Sequence, residues 1–136
     1  MKRILILRTS NDGTIFKLFE EIYDNQLYCM IQSSQVERYK NMYPKIHFID
    51  IKQEGFYNLD ESVMKEVKNT EFEEVYITFT GEVGHNYGNI MSMVKLLNFK
   101  KGYFYNCLGE RVEIPKMGIV KDLLYKIYIK ICEILY

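Results

Sequence analysis

"RILILRTSNDGTIFKLFEEIY", Arg3 to Tyr23, decides the fold. Between Arg3 and Arg8 every residue is apolar. A strand that is apolar at each position, rather than at alternate ones, is buried on both faces, as in a parallel sheet covered by helices. Thr9 to Gly13 is a cluster of turn formers. Ile15, Phe16, Leu18, Phe19, Ile22 and Tyr23 then recur at helical spacing. The stretch therefore predicts a strand, a polar turn and a helix.

The same rhythm continues outward. "LYCMIQ" (27–32) reads as a second strand. Ser34 and Glu37 have capping-box spacing, and Val36, Tyr39 and Tyr43 mark one face of a short helix stopped at Pro44. "IHFIDI" (46–51) is a third strand, with His47 alternating inside it as a structural residue. "GFYNLDES" (55–62) enters a helix whose buried side carries Val63 and Val67. "EVYITFT" (74–80) is a fourth strand, and Ile90, Met93, Val94 and Leu97 form the next helical stripe. "GYFYNC" (102–107) is a fifth. Leu108-Gly109 is a tight turn, and the alternation of Val112 and Ile114 completes a small hairpin near 103–114. A final helix is predicted from about Gly118 to Tyr136.

Strands alternating with helices imply an α/β protein, a three-layer αβα sandwich. The expectation is one Rossmann-like domain over 1–136, with a five-stranded, mainly parallel sheet. Five main strands favour the flavodoxin-like order, whose ligand crevice lies near strands one, three and four.

Composition narrows the function classes. Among 136 residues, 18 Lys and Arg balance 18 Asp and Glu, so no global field draws nucleic acid, and none is expected as a partner. The three cysteines, Cys29, Cys107 and Cys132, are widely spaced and form no C-x-x-C, so no zinc site or other metal centre is read here. Cys29 and Cys107 lie in apolar runs as small buried hydrophobes. A reducing, cytoplasmic setting fits this usage. Ile4 to Leu7 is too short for a signal peptide's apolar region.

Two polar loops open at strand ends: "RTSNDGT" (8–14) and "TGEVGHNYGN" (80–89). Both feed helix N-termini, whose free N–H groups attract anions. Ser10, Asn11, Asp12, Gly13 and Thr14 are the ligand-binding candidates of the first, with Ser10, Asn11 and Thr14 suited to a phosphate. In the second, Gly81, Gly84 and Gly88 allow close backbone approach, and Glu82, His85, Asn86, Tyr87 and Asn89 supply donors and acceptors. The same residue types also serve as turn and cap residues, with Thr14 or Asp12 capping the first helix and Asn86 the fourth. Glu82 and His85 can form an acid–base pair or a solvated one. No catalytic constellation is present: there is no G-x-S-x-G, Walker loop or H-E-x-x-H, and Gly13 alone is no dinucleotide fingerprint. A phosphoacceptor reading fails too, because Asp12 stands alone and Asn106 ends strand five. No cofactor is called for.

The order of "KRILILRTSNDGTIFKLFEEIY", "EEVYITFTGEVGHNYGNIMSMVKLLNFKKGYFYN" and "GERVEI" resembles the N-terminal Rossmann-like half of GT-B glycosyltransferases of the heptosyltransferase-like kind, which build cell-surface polysaccharide. Lys2 to Thr14 and Tyr76 to Asn106 carry the resemblance. It implies a sugar- or nucleotide-binding, glycosyltransferase-like domain. Two departures bear on it. Such enzymes carry the nucleotide-sugar site largely on a second domain, and their Gly-Asp in the first loop stands here as Asp12-Gly13. The resemblance thus implies an acceptor-side half, a cut-down relative or a partner-dependent subunit, without complete catalytic machinery. A small flavodoxin-like nucleotide or flavin binder is an alternative from the residues themselves.

"IVKDLLYKIYIKICEILY" (119–136) has one narrow polar stripe, Asp122, Lys126, Lys130 and Glu133, and is apolar nearly everywhere else. A helix so apolar packs in its own sheet's groove, forms a homodimer interface or lies on a membrane surface. A dimerising, non-enzymatic interaction module is the reading this segment supports.

Overall fold

The computed structural model describes residues 1–56, 59–79, 94–114, 130 and 134. Strand β1 (Arg3–Leu7) leads to helix α1 (Asp12–Ile22), β2 (Gln26–Ile31), a single 3-10 turn (Ser33–Gln35), α2 (Val36–Met42), β3 (His47–Asp50), α3 (Glu61–Lys68), β4 (Phe72–Thr78), β5 (Phe99–Tyr105) and β6 (Arg111–Ile114). All six strands join one sheet in the order β3-β2-β1-β4-β5-β6. The first five are mutually parallel and β6 returns antiparallel to β5.

Local chemistry explains the first unit. Ile4, Leu5, Ile6 and Leu7 are fully buried. Ile4 and Ile6 face the slab filled by Ile15, Leu18, Phe19 and Ile22 of α1 and Tyr39 of α2. Leu5 and Leu7 face the opposite slab, with Val63, Met64 and Val67 of α3 and with Val94 and Leu97. Helices thus cover both faces of a mixed six-stranded sheet, the αβα sandwich read from the sequence. The hairpin is present as well, but its return strand is a full sixth member of the sheet.

The strand order corrects the flavodoxin-like expectation. That order would set β3 beside β1; instead β3 pairs only with β2 at the sheet's edge, and β4 takes the place next to β1. The reason is legible in the strands. β3 exposes His47 and Asp50 at its two ends, as an edge strand tolerates, whereas β4 is buried from Val75 to Thr78. Through β5 the order is 3-2-1-4-5, the Rossmann arrangement, and the antiparallel β6 departs from it.

Several local readings also change. Asn11, not Asp12 or Thr14, caps α1, its side-chain oxygen accepting from the Thr14 N–H at 3.0 Å. The Ser34–Glu37 capping box does not form: Ser34 lies in the 3-10 turn and donates to the Glu54 carboxylate. Cys29 is buried but Cys107 is exposed. His47 does open β3, paired with Tyr28, and its exposed side chain lies 3.2 Å from Glu66. The stripe positions Ile90 and Met93 fall outside the described residues. So does nearly all of segment 119–136, of which Lys130 and Ile134 are described and exposed. Among the described residues, no helix is long and apolar enough to cross a membrane.

Candidate functional site at the β1/β4 rim

β2 and β3 extend the sheet to one side of β1, with α1 and α2 on one face. The chain then crosses by α3 on the other face and resumes at β4, on β1's other side. Chain leaving β1 and chain leaving β4 therefore start from adjacent strands, at the point where the strand order reverses. Ligands of open α/β sheets bind at such a point, outside the carboxyl ends of the strands.

Threonines seam the floor of this rim. The Thr9 hydroxyl donates to the Thr78 carbonyl at 2.8 Å, and the Thr78 hydroxyl donates to the Leu7 carbonyl at 3.0 Å. The Thr78 N–H in turn donates to the Thr9 hydroxyl at 3.1 Å. Thr78 is wholly buried, so its polar atoms need these partners.

Beside the seam, over the carboxyl ends of β1 and β2, stands a charged network that sequence reading did not find. Arg8 follows the buried strand directly. Its Nη2 donates to Asp12 Oδ1 at 2.9 Å, its Nε to the Tyr39 hydroxyl at 2.9 Å and its Nη1 to Gln32 Oε1 at 3.0 Å. The Gln32 amide donates back to the Arg8 carbonyl at 2.9 Å. Arg38, from α2, places Nη1 2.8 Å from Asp12 Oδ2 and donates from Nη2 to Oδ1 at 3.1 Å. The Tyr39 hydroxyl also donates to Asp12. Both guanidinium carbons lie 5.1 Å from the Tyr39 ring centroid, in cation–π range.

The electrostatics follow from the geometry. Arg38 foremost, with Tyr39 and Arg8, holds the Asp12 carboxyl far below the ordinary carboxylate range, against the opposing effect of burial. Burial, and then donation to Asp12, pushes the Tyr39 phenol up. Asp12 is thus ionised near neutrality and a weak base, unsuited to taking a proton there.

The first-loop candidates separate in space. Asp12 is at the centre of the network. Ser10 is half-buried at the rim, and Gly13 is exposed. Asn11 is committed to capping α1. Thr14 is 2% exposed, with its hydroxyl buried, and so is not a rim residue. Gly81, Glu82, Gly84, His85, Asn86, Tyr87, Gly88 and Asn89 lie outside the described residues.

The network's other members were hidden for a physical reason. Arg8 was detectable, since a charge ending a doubly buried strand must emerge at the rim. Gln32, Arg38 and Tyr39 meet Asp12 only through the fold. A second cluster was equally unseen. Arg111 of β6 lies over the Tyr76 and Tyr105 rings, 5.6 and 5.2 Å from their centroids, and reaches Glu21 of α1 at 2.7 Å. At the opposite end of the sheet a shallow cleft of about 270 Å³ is lined by Met1, Arg3, Gln26, Glu71, Glu73 and Lys100, near the amino ends of the strands.

Comparison with protein-family models, with curated proteins and with solved structures finds no match for this chain. The fold and the rim define an α/β domain of Rossmann-type strand order.

Proposed function

We propose that this chain is a sugar- or nucleotide-binding domain, glycosyltransferase-like, of cell-envelope polysaccharide metabolism, working without complete catalytic machinery of its own. The observation that carries the binding part is the reversal of strand order between β1 and β4, with Arg8 and Arg38 beside it over the carboxyl ends of β1 and β2. The polysaccharide part rests on the resemblance of the sequence to the N-terminal half of GT-B enzymes. A binding rather than catalytic role is supported by the state of Asp12. Its carboxylate, the acid of the described network, is held ionised by two arginines and a tyrosine.

Thermal unfolding with UDP-, GDP- and CMP-sugars tests this directly. A ligand at one hundred times its Kd stabilises the native state by about 2.7 kcal/mol, which for a chain of this size raises Tm by several degrees. A rise with one nucleotide class is the expected result. No rise with any of the three at millimolar concentration overturns the proposal.

A further inference from the structure

We propose that Arg8 and Arg38 form a site for a phosphate or diphosphate group, which the chain's own Asp12 carboxylate fills when no ligand is bound. This rests on the reading that the ligand enters at the carboxyl-end rim of the sheet, around the end of β1.

Donors from separate elements converge on one point. Arg8 comes from the end of β1, and Arg38 and Tyr39 from α2. Arg8 Nη2, Arg38 Nη1 and Nη2, and the Tyr39 hydroxyl all meet the two oxygens of Asp12. Gln32 and the Tyr39 hydroxyl fix the plane of Arg8, and both guanidinium groups rest against the Tyr39 ring. Two cations held this close repel unless an anion lies between them. Asp12 supplies a single negative charge, so the network keeps a net positive charge. A phosphate monoester or a diphosphate carries more charge and more acceptor oxygens, and guanidinium groups match its geometry with paired N–H donors.

The site is within reach of a solute. The Arg38 side chain is 46% exposed and that of Asp12 35%, whereas the Arg8 side chain is 14% exposed and sits behind them. Asp12 belongs to the first turn of α1, where a negative charge is favoured whether it belongs to the protein or to a ligand. The ligand's anion and Asp12 therefore compete for the same donors, and the carboxylate lowers the affinity it would otherwise show.

The test is calorimetric titration of the full chain with inorganic pyrophosphate and, separately, with nucleoside diphosphate sugars. Asp12→Asn keeps the shape and removes the competing charge, so it is expected to bind pyrophosphate at least about tenfold more tightly than the native chain. Adding Arg38→Ala to that variant is expected to abolish the gain. Equal affinity of folded Asp12→Asn and native chain for pyrophosphate overturns the proposal. If Asp12→Asn does not fold, nuclear magnetic resonance of the native chain decides: pyrophosphate shifts the Arg8 and Arg38 Nε–H signals at one common Kd, or leaves them unmoved and refutes the site. Nucleotide sugars binding tighter than pyrophosphate identify the group as part of a nucleotide, and equal binding identifies a free phosphate. If nucleotide sugars stabilise the native chain while Asp12→Asn changes nothing, the counter-ion idea fails and the binding function stands. If neither probe binds either protein, both fail.

Discussion

Asp12 was singled out in the sequence as one polar residue among several in a turn, and the structure gives it two arginines and a tyrosine. Its pKa is lower folded than unfolded, where a carboxyl of this kind sits near about 3.9. Its contribution to stability is therefore full above that pH and is lost as pH falls toward the folded value. Asp12→Asn lacks this contribution at every pH. The urea midpoint of the native chain should exceed that of Asp12→Asn at pH 6, and the gap should narrow by pH 3. Because the carboxylate is about one-third exposed, added salt should also narrow the gap. A gap that widens on acidification would contradict this. Gly13, its neighbour, has a different prospect. A Cβ there would meet only Asn11 Oδ1, at 3.7 Å, an ordinary contact. Gly13→Ala in the first turn of α1 should stabilise the chain by about 0.4–1 kcal/mol in urea unfolding. If a ligand approaches the backbone at this point, the same variant should bind it more weakly while being more stable.

At the scale of elements, the β5–β6 hairpin shows how a residue read as a strand end becomes a pivot. Asn106 is 2% exposed, and its side-chain oxygen accepts from the Leu108 and Glu110 N–H groups at 3.0 and 2.9 Å. Gly109 completes the turn at a φ of 81°, a left-handed conformation suited to glycine. Asn106→Ala should cost roughly 1–2 kcal/mol, since the N–H groups it abandons lie on exposed residues that water can reach. Asn106→Asp keeps the acceptor but sets a buried carboxylate against Glu110, to which the Asn106 amide donates at 3.1 Å, so near neutrality it should cost at least as much, and a smaller cost would contradict this account of the turn. Gly102, in β5, is confined from above: a Cβ would lie 3.1 Å from Phe99 Cε2 and 3.3 Å from Ile114 Cδ1. Gly102→Ala should destabilise by about 1–3 kcal/mol through overpacking, measured by the same unfolding midpoint. The hairpin was visible beforehand because Leu108-Gly109 followed by alternating Val112 and Ile114 is local information. The Ser34–Glu37 box was misread for the complementary reason: Glu54, twenty residues away, takes the Ser34 hydroxyl, and no window around Ser34 contains it.

For the whole molecule, the layering of the sandwich was legible because burial on two faces leaves β1 apolar at every position. The strand order was not. It depends on where the third strand docks, and the decisive evidence is modest: polar His47 and Asp50 bracket β3, while β4 carries a longer buried run. The order matters because it moves the crevice from the β1/β3 neighbourhood to β1/β4, where the threonine seam lies, with the Arg8–Asp12–Arg38 network beside it over the carboxyl ends of β1 and β2. The candidate site was legible only as far as its first loop. Its cationic half comes from an arginine at a strand end and an arginine on α2, brought together by tertiary packing. The account's central claim is that this rim, and not the amino-end cleft, is where a ligand binds. Amide resonances of the full chain, followed during titration with nucleoside diphosphate sugars, test that claim most directly. The prediction is that the shifts concentrate on Thr9 to Gly13 and on Thr78 and Phe79. Shifts centred instead on Arg3, Gln26, Glu71 and Lys100, at the other end of the sheet, would contradict it.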